Sequence, residues 1–297
     1  MNLKKTILGA ALFVSTLFNA KAQAPARADA LPDLKEKNSY DGHRFYIAWG
    51  YTRAWYSKST INFKNESNRY NPVTGRVDNY DFTIHDATAK DRPQFNRIIK
   101  DLLNPTIPQE VIRIGYHINN KWAIELNYDH AKYVVNDYQK VRITGHFNGV
   151  PVDKDTILDP ARLLHFEHTD GANFWMINAV RKFDFYQDRN LRVTWMVKPG
   201  AGVVIPRTDV TLFGQRLNNN YKVAGWIAGV ETGLRVSLRD RVYAEFVGKG
   251  VYADYVNAFV LGKGNGSASH HFFAGQLTAS LGYQFDFKKK HAMKGPR

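Results

Sequence analysis

Large apolar residues recur at every second position along much of this chain. From Phe45, one face reads Phe45, Ile47, Trp49, Tyr51, then Arg53 and Trp55, and the other reads Tyr46, Ala48, Gly50, Thr52, Ala54 and Tyr56. A period of two held over about a dozen residues predicts a strand long enough to cross a bilayer. The next pair is clearer. Ile112, Ile114, Tyr116 and Ile118 interleave with Arg113, Gly115, His117 and Asn119. Beyond Asn119-Asn120, Trp122, Ile124, Leu126 and Tyr128 face away from Ala123, Glu125, Asn127 and Asp129. An Asn-rich turn between two such runs is a hairpin signal, because Asn tolerates positive φ.

Five more strands are predicted near 171–183, 190–205, 221–238, 241–255 and 271–287. Trp226, Ala228, Val230, Leu234 and Val236 oppose Gly225, Gly229, Glu231, Gly233 and Arg235. In the last strand Phe273, Leu277, Ala279, Leu281, Tyr283 and Phe285 oppose Ala274, Gln276, Thr278, Ser280, Gly282 and Gln284. The fourth strand, GANFWMINAVRKF, carries no readable phase. The connections alternate in length. Those near 119–121, 184–190 and 239–241 are short, and those near 58–109, 134–170, 206–220 and 256–270 are long. Eight alternating strands with short turns at one end and long loops at the other predict an all-β fold. It is an eight-stranded antiparallel up-and-down transmembrane β-barrel with short periplasmic turns and long extracellular loops. A soluble secreted all-β protein is the alternative. The first long loop is itself patterned: STINFKN and YDFTIHDATA alternate around NESNRYNPVTGRVDN, predicting a hairpin, and NRIIKDLLN predicts helical turns ended by Pro105.

The N-terminus supplies an address. Lys4 and Lys5 precede an apolar stretch from Ile7 to Phe18 and the small-x-small site Ala20-Lys21-Ala22, the three-part pattern of a cleavable export signal. Twelve apolar residues are too few to span a bilayer as a helix. The expected organisation is therefore a signal peptide over 1–22, a flexible periplasmic lead-in over 23–41, the barrel over 42–287 and a basic periplasmic tail over 288–297.

Composition narrows the chemistry. The chain has 297 residues and a formal charge of +14, but 1–22 holds three Lys and no acid, and 288–297 holds four Lys and one Arg. That leaves +6 on the middle, too diffuse for a nucleic-acid-binding face, so no nucleic-acid partner is expected. The absence of Cys excludes disulfides, thiolate metal sites and cysteine catalysis. No cofactor is implied. The basic run Lys288–Lys290 is a candidate contact for anionic headgroups.

The strands KWAIELNYDHAKY and VYAEFVGKGVYADY and the closing strand QLTASLGYQFDF resemble those of the small outer-membrane β-barrel proteins of Gram-negative bacteria. The resemblance is one of pattern over residues 43–287. It implies insertion by the barrel-assembly machinery, which reads an aromatic final strand. Here Tyr283, Phe285 and Phe287 have that spacing, although ten residues follow. It also implies contact with outer-membrane lipid and lipopolysaccharide, for which Arg53 is a candidate phosphate ligand. The extracellular ligand is left open.

Eight strands enclose an interior that side chains fill, whereas diffusion pores need about sixteen. The inward set is Arg113, His117, Glu125, Asp129, Arg192, Lys198, Glu231, Arg235, Glu245 and Lys249, whose mixed signs predict ion pairs that plug the lumen. A narrow gated channel is the competing reading. Lipid-modifying barrel enzymes carry Ser, His and an acid at the outer rim. Candidates here are Ser267 and Ser269 beside His270 and His271, with His165, Glu167, His168 and Asp170 from another long loop. No family-specific sequence surrounds either serine, so the expected role is non-enzymatic, with specificity in the outer loops. The same residues, and His85-Asp86, lack a zinc-type spacing, and no metal is expected.

Overall fold

The computed structural model describes residues 43–71, 75–92, 109–168 and 170–286. The signal peptide, the lead-in, the expected helical turns near 96–104, Phe287 and the basic tail lie outside them. In chain order the first strands are β1 (Phe45–Tyr56), β2 (Ser59–Asn71), β3 (Arg76–Ala87), β4 (Ala89–Lys90), β5 (Glu110–His117), β6 (Trp122–Asp129), β7 (Tyr133–Val135), β8 (Lys140–Phe147) and β9 (Val150–Ile157). They are followed by β10 (Leu164–His168), β11 (Phe174–Gln187), β12 (Leu191–Val204), β13 (Thr208–Leu212), β14 (Gln215–Asn218), β15 (Gly225–Leu238), β16 (Val242–Phe259) and β17 (Ser267–Phe285).

Strands β1, β5, β6, β11, β12, β15, β16 and β17 pair in that order, each antiparallel to the next. β17 then returns to β1, from Phe45↔Phe285 to Tyr56↔Ala274, so the pairings form a ring without a free edge. These strands occupy the expected segments with shifted ends. β11 runs to Gln187, and β15 starts only at Gly225. The connection expected over 256–270 is mostly strand, because β16 and β17 continue past a bulge to Phe259↔Ser267.

Alternation sets the polarity. Along β1, Ala48, Gly50, Thr52 and Ala54 are buried, whereas Ile47, Trp49 and Trp55 are exposed. The same holds around the ring, where Ile114, Leu126, Ile177, Val230, Leu234, Phe246, Leu277 and Leu281 all face outward. β11 now has a phase: Phe174, Met176, Asn178, Val180 and Lys182 point inward, and Trp175, Ile177 and Phe183 outward. Both halves of that strand are apolar at its start because the top of the lumen is apolar. Aromatic residues gather at the two margins of the outer band. Tyr128 meets Trp175 at 4.6 Å and Tyr252 meets Phe273 at 5.0 Å near the long connections, while Phe183 meets Trp195 at 4.9 Å near the short turns. Phe273 and Tyr283 are ten residues apart on β17, roughly 25 Å along the ring axis for strands tilted by about 40°.

Two of the three short turns close by side-chain chemistry, and the third, at Arg239-Asp240, by left-handed backbone at φ 49 and 52. Asn119 and Asn120 do not take positive φ, contrary to expectation. Instead Asn119 Oδ1 accepts from the Lys121 and Trp122 amides at 2.9 and 2.8 Å, which holds the turn without left-handed backbone. Asp188 does the same for Asn190 and Leu191.

At the other end the sheet extends beyond the ring through β2, β3, β8 and β9. A second sheet runs in the order β14-β13-β10-β7-β4. The β2–β3 hairpin is as expected, but the rest of this outer layer is unforeseen. Residues of both sheets share one buried cluster that includes Ile61, Phe63, Phe82 and Ile143 from one and Tyr133, Phe166, Val210 and Leu212 from the other. Phe63 stacks on Phe82 at 5.1 Å and meets Phe166 edge-on at 5.3 Å. The cluster continues into the ring through Met176, Val204, Ile227, Val251 and Phe272. One apolar core thus binds the outer layer to the mouth of the ring.

Candidate functional site

Below that core lies a charge network. Arg113 of β5, Glu125 and Asp129 of β6, Lys198 of β12, Glu231 and Arg235 of β15, and Glu245 and Lys249 of β16 are each at most 4% exposed. Four cations face four acids. Arg113 donates to Asp129 at 2.6 Å and reaches Glu231 at 3.5 Å. Lys198 donates to Glu125 at 3.2 Å and to Glu245. Arg235 donates to Glu245 through Nε at 2.9 Å. Lys249 donates to Asp129 at 2.6 Å and lies 3.2 Å from Glu231. Charges so deep are tolerable only when paired, and here each has at least one partner of opposite sign.

The register explains the convergence. Lys198, Glu231 and Lys249 occupy one row, through Lys198↔Glu231 and Glu231↔Lys249, and Arg235↔Glu245 lies nearer the short turns. Two tyrosines complete the packing. Tyr46 donates to Glu125 Oε2 at 2.9 Å, and the Arg235 guanidinium lies over both the Tyr46 and Tyr243 rings, at 4.6 and 4.1 Å. Each ring lies over a glycine of a neighbouring strand. A Cβ on Gly115 would sit 1.9 Å from Tyr46 Cζ, and one on Gly282 would sit 2.1 Å from Tyr243 Cζ. Toward the short turns, Lys182 donates to His117 Nδ1 at 2.9 Å, so His117 Nε2 carries its proton toward Gln284 Oε1 at 2.9 Å. Arg192 is placed apart, at the rim with Asp240 at 3.2 Å.

The outer-rim candidates divide. His168 and His270 come together, with Nε2 atoms 3.2 Å apart, inside a cage of Tyr133, Phe166, Tyr255 and Phe272. Burial pushes the His168 imidazole down to about 3, against a smaller opposing effect of Glu167. Ser267, Ser269 and His271 do not join them. They stand on the opposite face of β17 from His270, because adjacent residues of a strand alternate. The hydroxyls that His270 and His168 meet belong to Ser59 at 3.3 Å and Thr208 at 3.1 Å. Asp170 pairs with Arg207 and Glu167 with Arg92. His165 sits between Glu167 and Asp137, whose hydrogen bonds raise its imidazole to about 9 against burial. His85 meets Thr144 at 2.8 Å. The candidates therefore form no Ser-His-acid relay, and among the described residues no three His, Asp or Glu converge as metal ligands.

Sequence reasoning missed Tyr46, Tyr243 and Lys182 as partners of the network. Tyr46 was nevertheless visible as the one large residue at the start of a face of small ones. Ser59 and Tyr133 had no comparable signal, since they meet the histidines only through the outer layer. Tyr255, by contrast, shares the inward face of Glu245 and Lys249 and pairs in register with His270.

No family model matches the chain, and no curated protein matches it. Among solved structures, Neisserial surface protein A is similar at 12% identity, covering 81% of this chain and 97% of that one, with a TM-score of 0.33. The outer membrane protein OprG from Pseudomonas aeruginosa is similar at 10% identity, covering 84% and 99%, with a TM-score of 0.35. The outer membrane protein AlkL, solved in lipid bilayers, is similar at 12% identity, covering 91% and 98%, with a TM-score of 0.30. The chain is thus similar to outer-membrane proteins, and its own ring rests on the register of its strands.

Proposed function

We propose that the ring is an eight-stranded up-and-down β-barrel of the outer membrane, non-enzymatic and closed to ions, which holds a rigid binding layer at the cell surface. One observation carries this reading: the polarity is inverted, with eight charges sealed inside and an apolar band outside. A soluble fold would expose the charges and bury Ile177, Phe246 and Leu281, which are 60%, 60% and 68% exposed. A bilayer reverses that cost. The balanced network and the apolar core above it fill the lumen, which favours a plugged barrel over a gated channel. The separation of Ser267 and Ser269 from His270 favours a binding role over lipid hydrolysis. Arg53, exposed beside Trp55 near the outer margin, is our candidate for lipopolysaccharide phosphate. The export pattern at the N-terminus and the aromatic end of β17 support insertion by the barrel-assembly machinery.

The test uses protein from purified outer membranes. A gel shift on boiling, together with no unitary conductance in planar bilayers, is expected. Soluble protein in the periplasm without a shift would overturn the membrane assignment, and discrete conductance steps would overturn the plug.

A further inference from the structure

At the outer end, Lys64 and Glu66 of β2, Lys222 before β15, Asn257 and Phe259 of β16, and Lys263 and Ser267 around the β16–β17 turn line an open cleft of about 490 Å³. That volume suits a small ligand. The charge around it is unbalanced. Lys64 is neutralised by Glu66 at 2.9 Å and Asp81 at 3.6 Å. Lys222 instead lies over the Phe259 ring at 4.6 Å, and its ammonium is held below the usual lysine value by desolvation alone. Among the described residues, neither Lys222 nor Lys263 has a carboxylate within 4.0 Å. Two cations without internal counter-charges thus face one cavity, beside neutral amide and hydroxyl groups of Asn257 and Ser267.

The walls are fixed in advance. Asn219 donates to the Val260 carbonyl at 2.6 Å and accepts from the Gly262 amide at 2.8 Å, which anchors the β16–β17 turn. Gly266, at φ +94, lets the turn pass within 2.8 Å of Tyr80 Oη at the point where a Cβ would stand. The backbone of the turn that carries Lys263 and Ser267 is thus set before binding.

We propose that this pocket binds an anionic saccharide, a sugar unit carrying phosphate or carboxylate groups. Lys222 and Lys263 take the anion, Asn257 and Ser267 the hydroxyls, and the free part of the Phe259 ring packs against the apolar face of the sugar ring. The proposal rests on the outer layer facing the cell exterior. There the shared chemistry has two sources, the phosphorylated core of lipopolysaccharide and an acidic polysaccharide from outside.

Calorimetry on the full chain folded in detergent separates them. Deacylated lipopolysaccharide core, trigalacturonate and neutral maltotriose are titrated into protein whose gel shift on boiling has been recorded. At least one anionic probe binds, more weakly as salt rises, and maltotriose does not. Lys222→Gln with Lys263→Gln weakens that binding about tenfold or more, whereas Lys154→Gln on β9 does not. Binding of the core alone assigns the pocket to the cell's own lipopolysaccharide, and binding of trigalacturonate to an external polymer. Heat-shifting protein that binds neither anion overturns the pocket and leaves the barrel standing, as does binding that the double variant retains. Protein without the shift fails the barrel reading instead.

Discussion

The Nε2 atoms of His168 and His270 stand 3.2 Å apart at the centre of the outer core. Across that distance one proton can be shared, the second ring nitrogens being met by Thr208 and Ser59. Burial in the aromatic cage disfavours a charge on either ring, and the neighbouring imidazole adds to this at His270. Around the pair stand the rings of Tyr133, Phe166, Tyr255 and Phe272 and, next along β17, His271, while Glu167 pairs with Arg92.

Acid sensitivity of the outer layer follows. His168 is at about 3 in the fold against 6.5 when unfolded. Between those values the unfolded chain binds a proton that the native chain refuses, so stability is full above 6.5 and falls as pH drops toward 3. His165 acts in the opposite direction. Raised to about 9, it contributes below 6.5 and is lost as pH rises through 9. Amide exchange over β10 and β13 should quicken on acidification while the ring strands stay protected. Replacing both His168 and His270 by Gln should flatten that response, and an unchanged pH profile in the double variant would sink the account.

The lumen network makes a sharper energetic prediction. Lys198→Met removes one cation from between Glu125 and Glu245 and leaves three cations against four acids. Such an unpaired buried charge costs about 3–5 kcal/mol. The urea midpoint for unfolding from lipid vesicles should fall accordingly. Adding Glu125→Gln restores the balance and should recover part of the loss, because Glu245 keeps Arg235 at 2.8 Å and Asp129 keeps Arg113 at 2.6 Å. A double variant no better than the single one would show that packing, and not pairing, sets the cost.

How far these sites were legible depends on the length of the pattern that carries them. Arg113, Glu125, Glu231, Arg235 and Lys249 sit on strands of eight residues or more, where a period of two repeats enough to fix the face. The outer layer offers no such repeat. β7 is three residues long and buried throughout, and β10 is five long with His165 as its least buried member. Their partners lie in distant segments: His168 faces Thr208, and His270 faces Ser59. Such contacts are decided by packing and leave no trace in local spacing. The run from Ser267 to His271 misled for a related reason. Neighbours in sequence looked like neighbours in space, but strand geometry puts Ser269 and His271 on one face and His270 on the other.

Two tyrosine–glycine contacts constrain the ring. Gly115→Ala places a methyl group on the Tyr46 ring, whose hydroxyl donates to Glu125. The ring must move off both Glu125 and Arg235, at about 1–3 kcal/mol for overpacking. Tyr46→Phe keeps the ring in place and loses only the hydrogen bond to the buried carboxylate, about 1.5–3 kcal/mol. A Gly115→Ala variant as stable as the parent would contradict the contact.

The apolar band predicts a dependence on depth. Val230 lies midway along β15 and is 46% exposed, and Leu238 ends the same strand at the short turn and is 55% exposed. In water the two positions are equivalent, and Arg at either would be harmless. In a bilayer Val230→Arg sits near the midplane, where a cationic side chain on the lipid face costs about 2–4 kcal/mol. Leu238→Arg reaches the interface and costs about 0–1 kcal/mol. Folding free energies of both variants, measured in vesicles, should therefore differ by about 1 kcal/mol or more, with Val230→Arg the weaker. Equal values would mean that the band does not meet hydrocarbon, whatever its composition. Because both substitutions leave the lumen and the outer layer untouched, the comparison isolates the surroundings of the ring from its interior.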